Sequence, residues 1–251
     1  MKTPQLILVL PLAGLVFAGA AIQAPGQSAP TLTVTNNLQL WLEADAGVTT
    51  NAAGAVTAWG DQSGQGYVAT QVDESLAPSW APNAIKGYPV VHFDGATRYL
   101  DIFDAPGLAI TGNITIFCVL KCDDFNLWRA IWAQTPAGNA APNEYRIERS
   151  SGLPFFIRGS SAAIGTVSAT QPMVAGEYAV IAVEANGEEI AHYLNGATNG
   201  TGTISIPPED EGVPPRIGSR NDLVTQMKGD IAELLVYNTA LEETERKQVF
   251  E

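Results

Sequence analysis

Trp80, Trp128, Arg129, Tyr145 and Arg146 carry the side chains best suited to gripping a sugar. A flat aromatic face packs against the C–H groups of a pyranose ring, and arginine donors reach its hydroxyls. Trp80 stands in Pro78-Ser79-Trp80-Ala81-Pro82, where the prolines predict a stiff loop that exposes an indole. Trp128 and Arg129 border the turn residues Asp123-Asp124-Phe125-Asn126, and Tyr145-Arg146 follow a loop over Pro136 to Asn143. The competing role for each is ordinary packing or a lid over the core.

Catalytic chemistry is harder to find. Glycoside hydrolysis needs only two carboxylates across a groove. Alternation along a strand aims Glu43 and Asp45 to one side, but the run Glu43-Ala44-Asp45-Ala46-Gly47-Val48 lacks a further carboxylate, and Gly47 predicts that the strand has ended. Glu144 with Glu148 and Glu209 with Glu211 are further pairs, the latter in a loop. The sequence contains no Gly-x-Ser-x-Gly, no phosphate-binding Gly-Lys-Ser/Thr loop and no dinucleotide fingerprint. His92 and His192 have no neighbours at zinc-ligand spacing and are read as structural or surface residues. No residue is assigned a catalytic role.

The chain's class bounds what these residues can meet. A net charge of −13 opposes nucleic acid, whose phosphates need basic neighbours, and makes an anionic membrane a poor partner. Lys2, the apolar run Leu6 to Phe17 and the small residues Ala18-Gly19-Ala20 form the three-part pattern of a secretory signal peptide over residues 1–20. That run is too short for a bilayer span, which needs about 20 apolar residues. Residues 21–36 read as a linker rich in Pro, Ser, Gln and Thr, and 37–251 as one domain. The expected localisation is outside the cytoplasm: secreted, periplasmic or at the cell surface. Cys118 and Cys122 lie in one predicted strand, where four residues span about 13 Å, too far for a disulfide unless the strand ends between them.

The elements that must position these residues are strands. Short apolar runs recur between Gly, Asn, Asp and Pro clusters, the pattern of an all-β chain. Ile114 to Leu120 and Tyr178 to Val183 read as central strands, and Trp128–Ala133, Phe155–Arg158, Ala191–Leu194 and Ile231–Tyr237 extend the set. Asn186-Gly187, Asn195-Gly196 and Asn199-Gly200 suit tight hairpin turns, which need positive φ. One short helix is expected at the C-terminus, where Thr239-Ala240-Leu241-Glu242 has the spacing of a capping box. The chain stops with this helix still running, which suggests a truncated gene model or a longer parent protein.

Several segments together are similar to one family. Leu40 to Val48, the segment Trp59-Gly60-Asp61-Gln62-Ser63-Gly64-Gln65-Gly66, the stretch Gly87 to Gly95, and Gly229 to Asn238 resemble, in order, the motifs of concanavalin A-like, laminin-G-type domains of bacterial secreted and surface proteins. The resemblance runs from about Leu38 to Phe250. It implies a two-sheet antiparallel jelly-roll sandwich of about a dozen strands, with Trp41 and Trp59 in packing roles. It also implies carbohydrate or protein-surface binding and, in some members, a structural calcium ion at the rim. Asp94 and Asp230, at strand ends within these motifs, are the candidate calcium ligands, and a turn-forming Asp is the competing role.

The resulting expectation is a non-catalytic binding module, with a glycan or cell-surface polymer as partner. A glycan-degrading hydrolase or lyase on the same fold and a structural protein–protein adhesion domain are the alternatives. No nucleic-acid partner is expected, nor a membrane span once the signal is removed.

Overall fold

Apolar and polar side chains alternate along most of the chain's extended segments, so each segment buries one face and must pair to satisfy its backbone. The computed structural model describes residues 32–135 and 143–251. The expected signal segment, most of the expected linker and the loop over Pro136–Pro142 lie outside the described residues.

Seventeen strands are described. The first seven are β1 (Leu38–Glu43), β2 (Val48–Thr50), β3 (Val56–Gly60), β4 (Val68–Thr70), β5 (Ser79–Ile85), β6 (Tyr88–Asp94) and β7 (Leu100–Ile102). A single 3-10 turn at Pro106–Leu108 precedes β8 (Ile114–Cys122), β9 (Arg129–Ala133), β10 (Asn143–Ile147), β11 (Pro154–Gly159) and β12 (Ile164–Ser168). The chain then forms β13 (Tyr178–Asn186), β14 (Glu189–Leu194), β15 (Ala197–Thr203), β16 (Arg216–Ile217), β17 (Lys228–Tyr237) and the helix α1 (Glu243–Phe250).

These strands build two antiparallel sheets. The eight-stranded sheet runs β15-β14-β13-β8-β17-β6-β5, with β1 pairing the second half of β17 beside β6. The nine-stranded sheet runs β12-β11-β10-β9-β16-β7-β4-β3-β2. Their inner faces share one core, in which Leu40, Phe93, Ile116, Leu120 and Leu234 from the first sheet meet Trp59, Leu100, Trp132, Tyr145 and Phe156 from the second. The fold is the expected jelly-roll sandwich with one C-terminal helix.

Sequence-level details hold or shift for local reasons. The Asn186-Gly187 and Asn195-Gly196 pairs do turn hairpins, whereas Asn199-Gly200 lies inside β15, where the Asn199 side chain accepts from Gln171 N at 2.7 Å. Trp80 sits not in a loop but in β5, an edge strand that tolerates Pro82 because its outer N–H positions need no partner. The helix begins after Glu242 rather than at Thr239, with the Glu242 N–H donating to Glu245 Oε2 at 3.1 Å. The Thr239–Leu241 stretch is instead pinned to β8: Thr115 Oγ1 donates to Thr239 O at 2.8 Å and accepts from Leu241 N at 3.2 Å. Cys118 and Cys122 are both buried and free.

The helix and the first described residues occupy much of one surface. Val34, Leu38, Leu241, Val249 and Phe250 pack on Phe117, Tyr193 and Tyr237, which point outward from the eight-stranded sheet. Arg246 anchors the helix, pairing with Glu184 at 2.8 Å and lying over the Tyr193 ring at 4.2 Å. Among the described residues no helix is long and apolar enough to cross a membrane.

Candidate functional site

On the outer face of the nine-stranded sheet, register sets Asp101, Arg216, Ala133, Glu144 and Ile157 in one row across β7, β16, β9, β10 and β11. Arg216 grips Asp101 with two donors, at 2.7 and 2.9 Å, and stacks on Tyr99 at 3.8 Å. Glu144 is 0% exposed. Its carboxylate lies 2.9 Å from Arg146 Nε and 3.4 Å from Arg220 Nε, and it accepts from the Thr135 hydroxyl at 2.9 Å. Burial pushes the Glu144 carboxyl above its ordinary value, and the two guanidiniums pull it back. Asp222 extends the network to Arg220 at 3.1 Å.

Arg146 is held by Glu144 against two aromatic rings. Its guanidinium lies 4.7 Å from the Phe155 ring centre and 5.3 Å from that of partly exposed Trp128, and these rings meet edge to face at 5.0 Å. A β-bulge makes the arrangement possible. Tyr145 pairs Trp132 but Arg146 pairs Ala130, so the extra residue Ile131 lets both it and Trp132 reach the core while Arg146 stays outside. The β8–β9 and β16–β17 loops frame the surface and are tied together, with Arg129 donating to Gln226 O at 3.2 Å and Lys228 to Asp124 at 2.7 Å. Those loops also carry exposed Leu127, Leu223 and Val224.

The structure therefore brings Trp128 and Arg146 together and separates the other expected sugar-gripping residues from them. Arg129 is buried and spends its donors on Asp124 and Gln226 O, which makes it a loop clamp. Tyr145, 0% exposed, faces the core beside His192, and only a rearrangement would bring its ring to a ligand. Burial holds His192 down at about 4, so it is neutral, with its Nε2 toward Val167 O at 3.0 Å. Trp80 packs half-buried against the core and donates its indole N–H to Ala44 O at 2.8 Å. Phe155 and Arg220 were not among the expected residues. Phe155 was open to discovery by alternation, since it shares a face with Ile157, while Arg220 arrives from a loop.

Neither candidate calcium ligand fits a hard dication. Asp94 caps its own turn: Oδ1 accepts from the backbone N–H groups of Ala96, Thr97 and Arg98, and Oδ2 faces Arg98 Nε at 3.2 Å. Against its partial burial, these donors hold its pKa below the ordinary value. Asp230 is filled by His92 Nδ1 at 2.7 Å, Lys121 Nζ at 2.8 Å and the Tyr178 hydroxyl. Burial pushes its carboxyl up, but these donors hold it at about 2. A cation would have to displace an ammonium to enter. Among the described residues no group of three or more His, Cys, Asp or Glu is placed to hold a metal. Asp94→Ala is expected to cost about 1–2 kcal/mol in urea unfolding, as loss of a cap does. Adding calcium at about 1 mM is expected to leave the melting temperature of the wild-type chain unchanged, and a rise would contradict this assignment.

One carboxylate pair does face itself. In the bulged β17, Glu233 stands directly opposite Glu43 of β1, and Trp41 donates its indole N–H to Glu233 at 2.8 Å. Glu43 is only 4% exposed, and its Oε1 has no hydrogen-bond partner.

The Laminin_G_3 model of the concanavalin A-like lectin/glucanases superfamily matches residues 94–245. The chain belongs to this family. Solved structures agree with the fold of this laminin-G-type domain. The binding domain of Paraclostridial Mosquitocidal Protein 1 superposes with a TM-score of 0.63 at 10% identity, over 86% of this chain and 52% of that one. The CBM40 of the Ruminococcus gnavus IT-sialidase, bound to α2,3 sialyllactose, gives 0.54 at 16% identity over 64% and 96%. Trypanosoma rangeli sialidase with the inhibitor DANA gives 0.60 at 14% over 92% and 34%. The laminin-G-type domain thus spans about half of the mosquitocidal binding domain and a third of the sialidase. At such identities these likenesses establish the fold alone. No curated protein sequence matches it significantly.

Proposed function

We propose that the domain is an exported, non-catalytic module that holds a glycan or cell-surface polymer against the outer face of its nine-stranded sheet. The observation that carries this reading is Trp128, partly exposed and locked between Phe155 and an Arg146 whose own orientation is fixed by Glu144. An immobilised indole offers a ring face at little entropic cost, and adjacent arginines supply donors for hydroxyls. Binding at the corresponding fold in the CBM40 with sialyllactose supports a sugar as partner. The eight-stranded sheet offers less room, because α1 and residues 32–38 lie on its outer face. Export rests on the N-terminal sequence pattern.

The hydrolase alternative would use paired carboxylates. Glu43 is sealed from solvent beside Glu233, and Glu144 is neutralised by two guanidiniums, so neither is free to protonate or attack a glycosidic oxygen. The test is to incubate the chain with insoluble polysaccharides and with any soluble glycan it retains. Retention that falls at least tenfold in Trp128→Ala, with the glycan recovered intact, is the expected result. Release of new reducing ends would overturn the non-catalytic reading.

A further inference from the structure

At one end of the sandwich, residues from both sheets enclose a cleft of about 240 Å3 that contains no part of the Trp128 surface. Arg158 of β11 lines it together with Glu188 of the β13–β14 turn and Ile204, Ser205, Ile206 and Pro207 after β15. Arg158 is 3% exposed. It donates to the carbonyls of Gly112, of Thr111 at 3.3 Å and of Gly187 at 3.5 Å, while its Nε has no hydrogen-bond partner. No carboxylate of the described residues pairs with it, and segments 1–31 and 136–142 contain no Asp or Glu. Arg98, Arg129, Arg146, Arg216, Arg220 and Arg246 by contrast each face an acid. A buried guanidinium is costly without an anion, so carbonyl dipoles alone leave this one short of a partner.

We infer that the cleft takes the carboxylate of an acidic sugar, with Arg158 as its charge partner. Arginine's charge matches a carboxylate, and one donor on NH1 remains to be used, since that nitrogen bonds only Gly187 O at 3.5 Å. The remaining lining argues for a sugar over a bare anion. Exposed Glu188, which accepts from Ser205 Oγ at 3.0 Å, can also accept from ring hydroxyls, which a bare anion lacks. Ile204, Ile206 and Pro207 offer an apolar surface for ring C–H groups. The volume lies below the roughly 300–1,000 Å3 of pockets for drug-sized ligands and suits a single ring. The common chemistry is a pyranose bearing a carboxylate, and sialic acids and uronic acids are its two sources.

This inference rests on the glycan-binding reading but uses a separate site, so the two can fail independently. Titration calorimetry of the full chain with N-acetylneuraminic acid, with glucuronic acid and with glucose, each at about 10 mM, tests it at concentrations that saturate a millimolar site. At least one acid is expected to bind ten times more tightly than glucose, and which acid does so identifies the source. Arg158→Met is expected to lose at least tenfold in affinity. Because that change also frees three carbonyls, Ser205→Trp, which fills the mouth from an exposed position and leaves Arg158 in place, is expected to lose binding likewise. Binding of glucose as tight as that of the acids, no binding of either acid, or undiminished binding in Ser205→Trp would overturn the inference. Any of these results alongside Trp128-dependent retention of a glycan leaves the wider reading intact, and acid binding without such retention overturns only the Trp128 surface.

Discussion

Glu144→Gln is expected to cost about 3–5 kcal/mol of folding stability, because it strips the shared counter-charge from two buried arginines. The side chain is 0% exposed and sits between Arg146 and Arg220, so removing its charge leaves two guanidiniums repelling each other in a low-dielectric site. Asp222 pairs directly with Arg220 at 3.1 Å and is a lesser, through-space influence on Arg146. Urea unfolding would show the loss as a lower midpoint at unchanged slope. A double variant with Arg146→Met is expected to cost less than the sum of the single changes, since the second substitution removes a charge that the first left stranded. Strictly additive costs would show that the network carries no coupling. The same variant releases Arg146 from its post beside Trp128, so glycan retention is expected to fall even at temperatures where the protein stays folded.

A pH dependence with an unusual sign is the second large effect. Burial, then the charge of Glu233, then that of Asp45 push Glu43 from its ordinary 4.5 up to about 8, and burial with Asp45 carries Glu233 to about 7 against the opposing Trp41 hydrogen bond. Both carboxyls bind protons more tightly folded than unfolded. Their contribution is therefore fully present below about pH 4.5 and is lost as pH rises through 7 and 8. Stability is expected to drop by about 2–4 kcal/mol between about pH 5 and about pH 8.5. Glu43→Gln, which mimics the protonated form, is expected to flatten most of that slope and to be the more stable protein at the alkaline end. Urea midpoints at several pH values check this, and parallel pH profiles for the two proteins would contradict it.

Much of the scaffold was legible in local pattern. Ile114 to Leu120 is apolar on both sides, and it became β8, buried on both faces between β13 and β17. Asn186-Gly187 and Asn195-Gly196 placed their turns because only a few residues accept the backbone they need. Trp80 was misread because proline usually breaks strands, a rule that relaxes at a sheet edge. The site was less legible. Tyr145 and Arg146 are neighbours in sequence, so period-two geometry sends one inward and the other out, and both could not touch one surface ligand. Glu144 and Arg146 on one face were readable from the same rule, but Arg220 reaches them from a distant loop. The Glu43–Glu233 pair needs β1 to lie beside β17, a contact between the two ends of the chain that spacing along the sequence does not encode.

The central claim is that this sandwich holds a glycan through Trp128 and Arg146. Its most direct test is binding of the wild-type chain and of Trp128→Ala, both shown to be folded by circular dichroism, to a broad array of glycans and polysaccharides. The account predicts selective retention by the wild type and at least a tenfold weaker signal for the variant on the same glycans. A silent array from the folded wild-type protein, or equal signals from the two proteins, would contradict it.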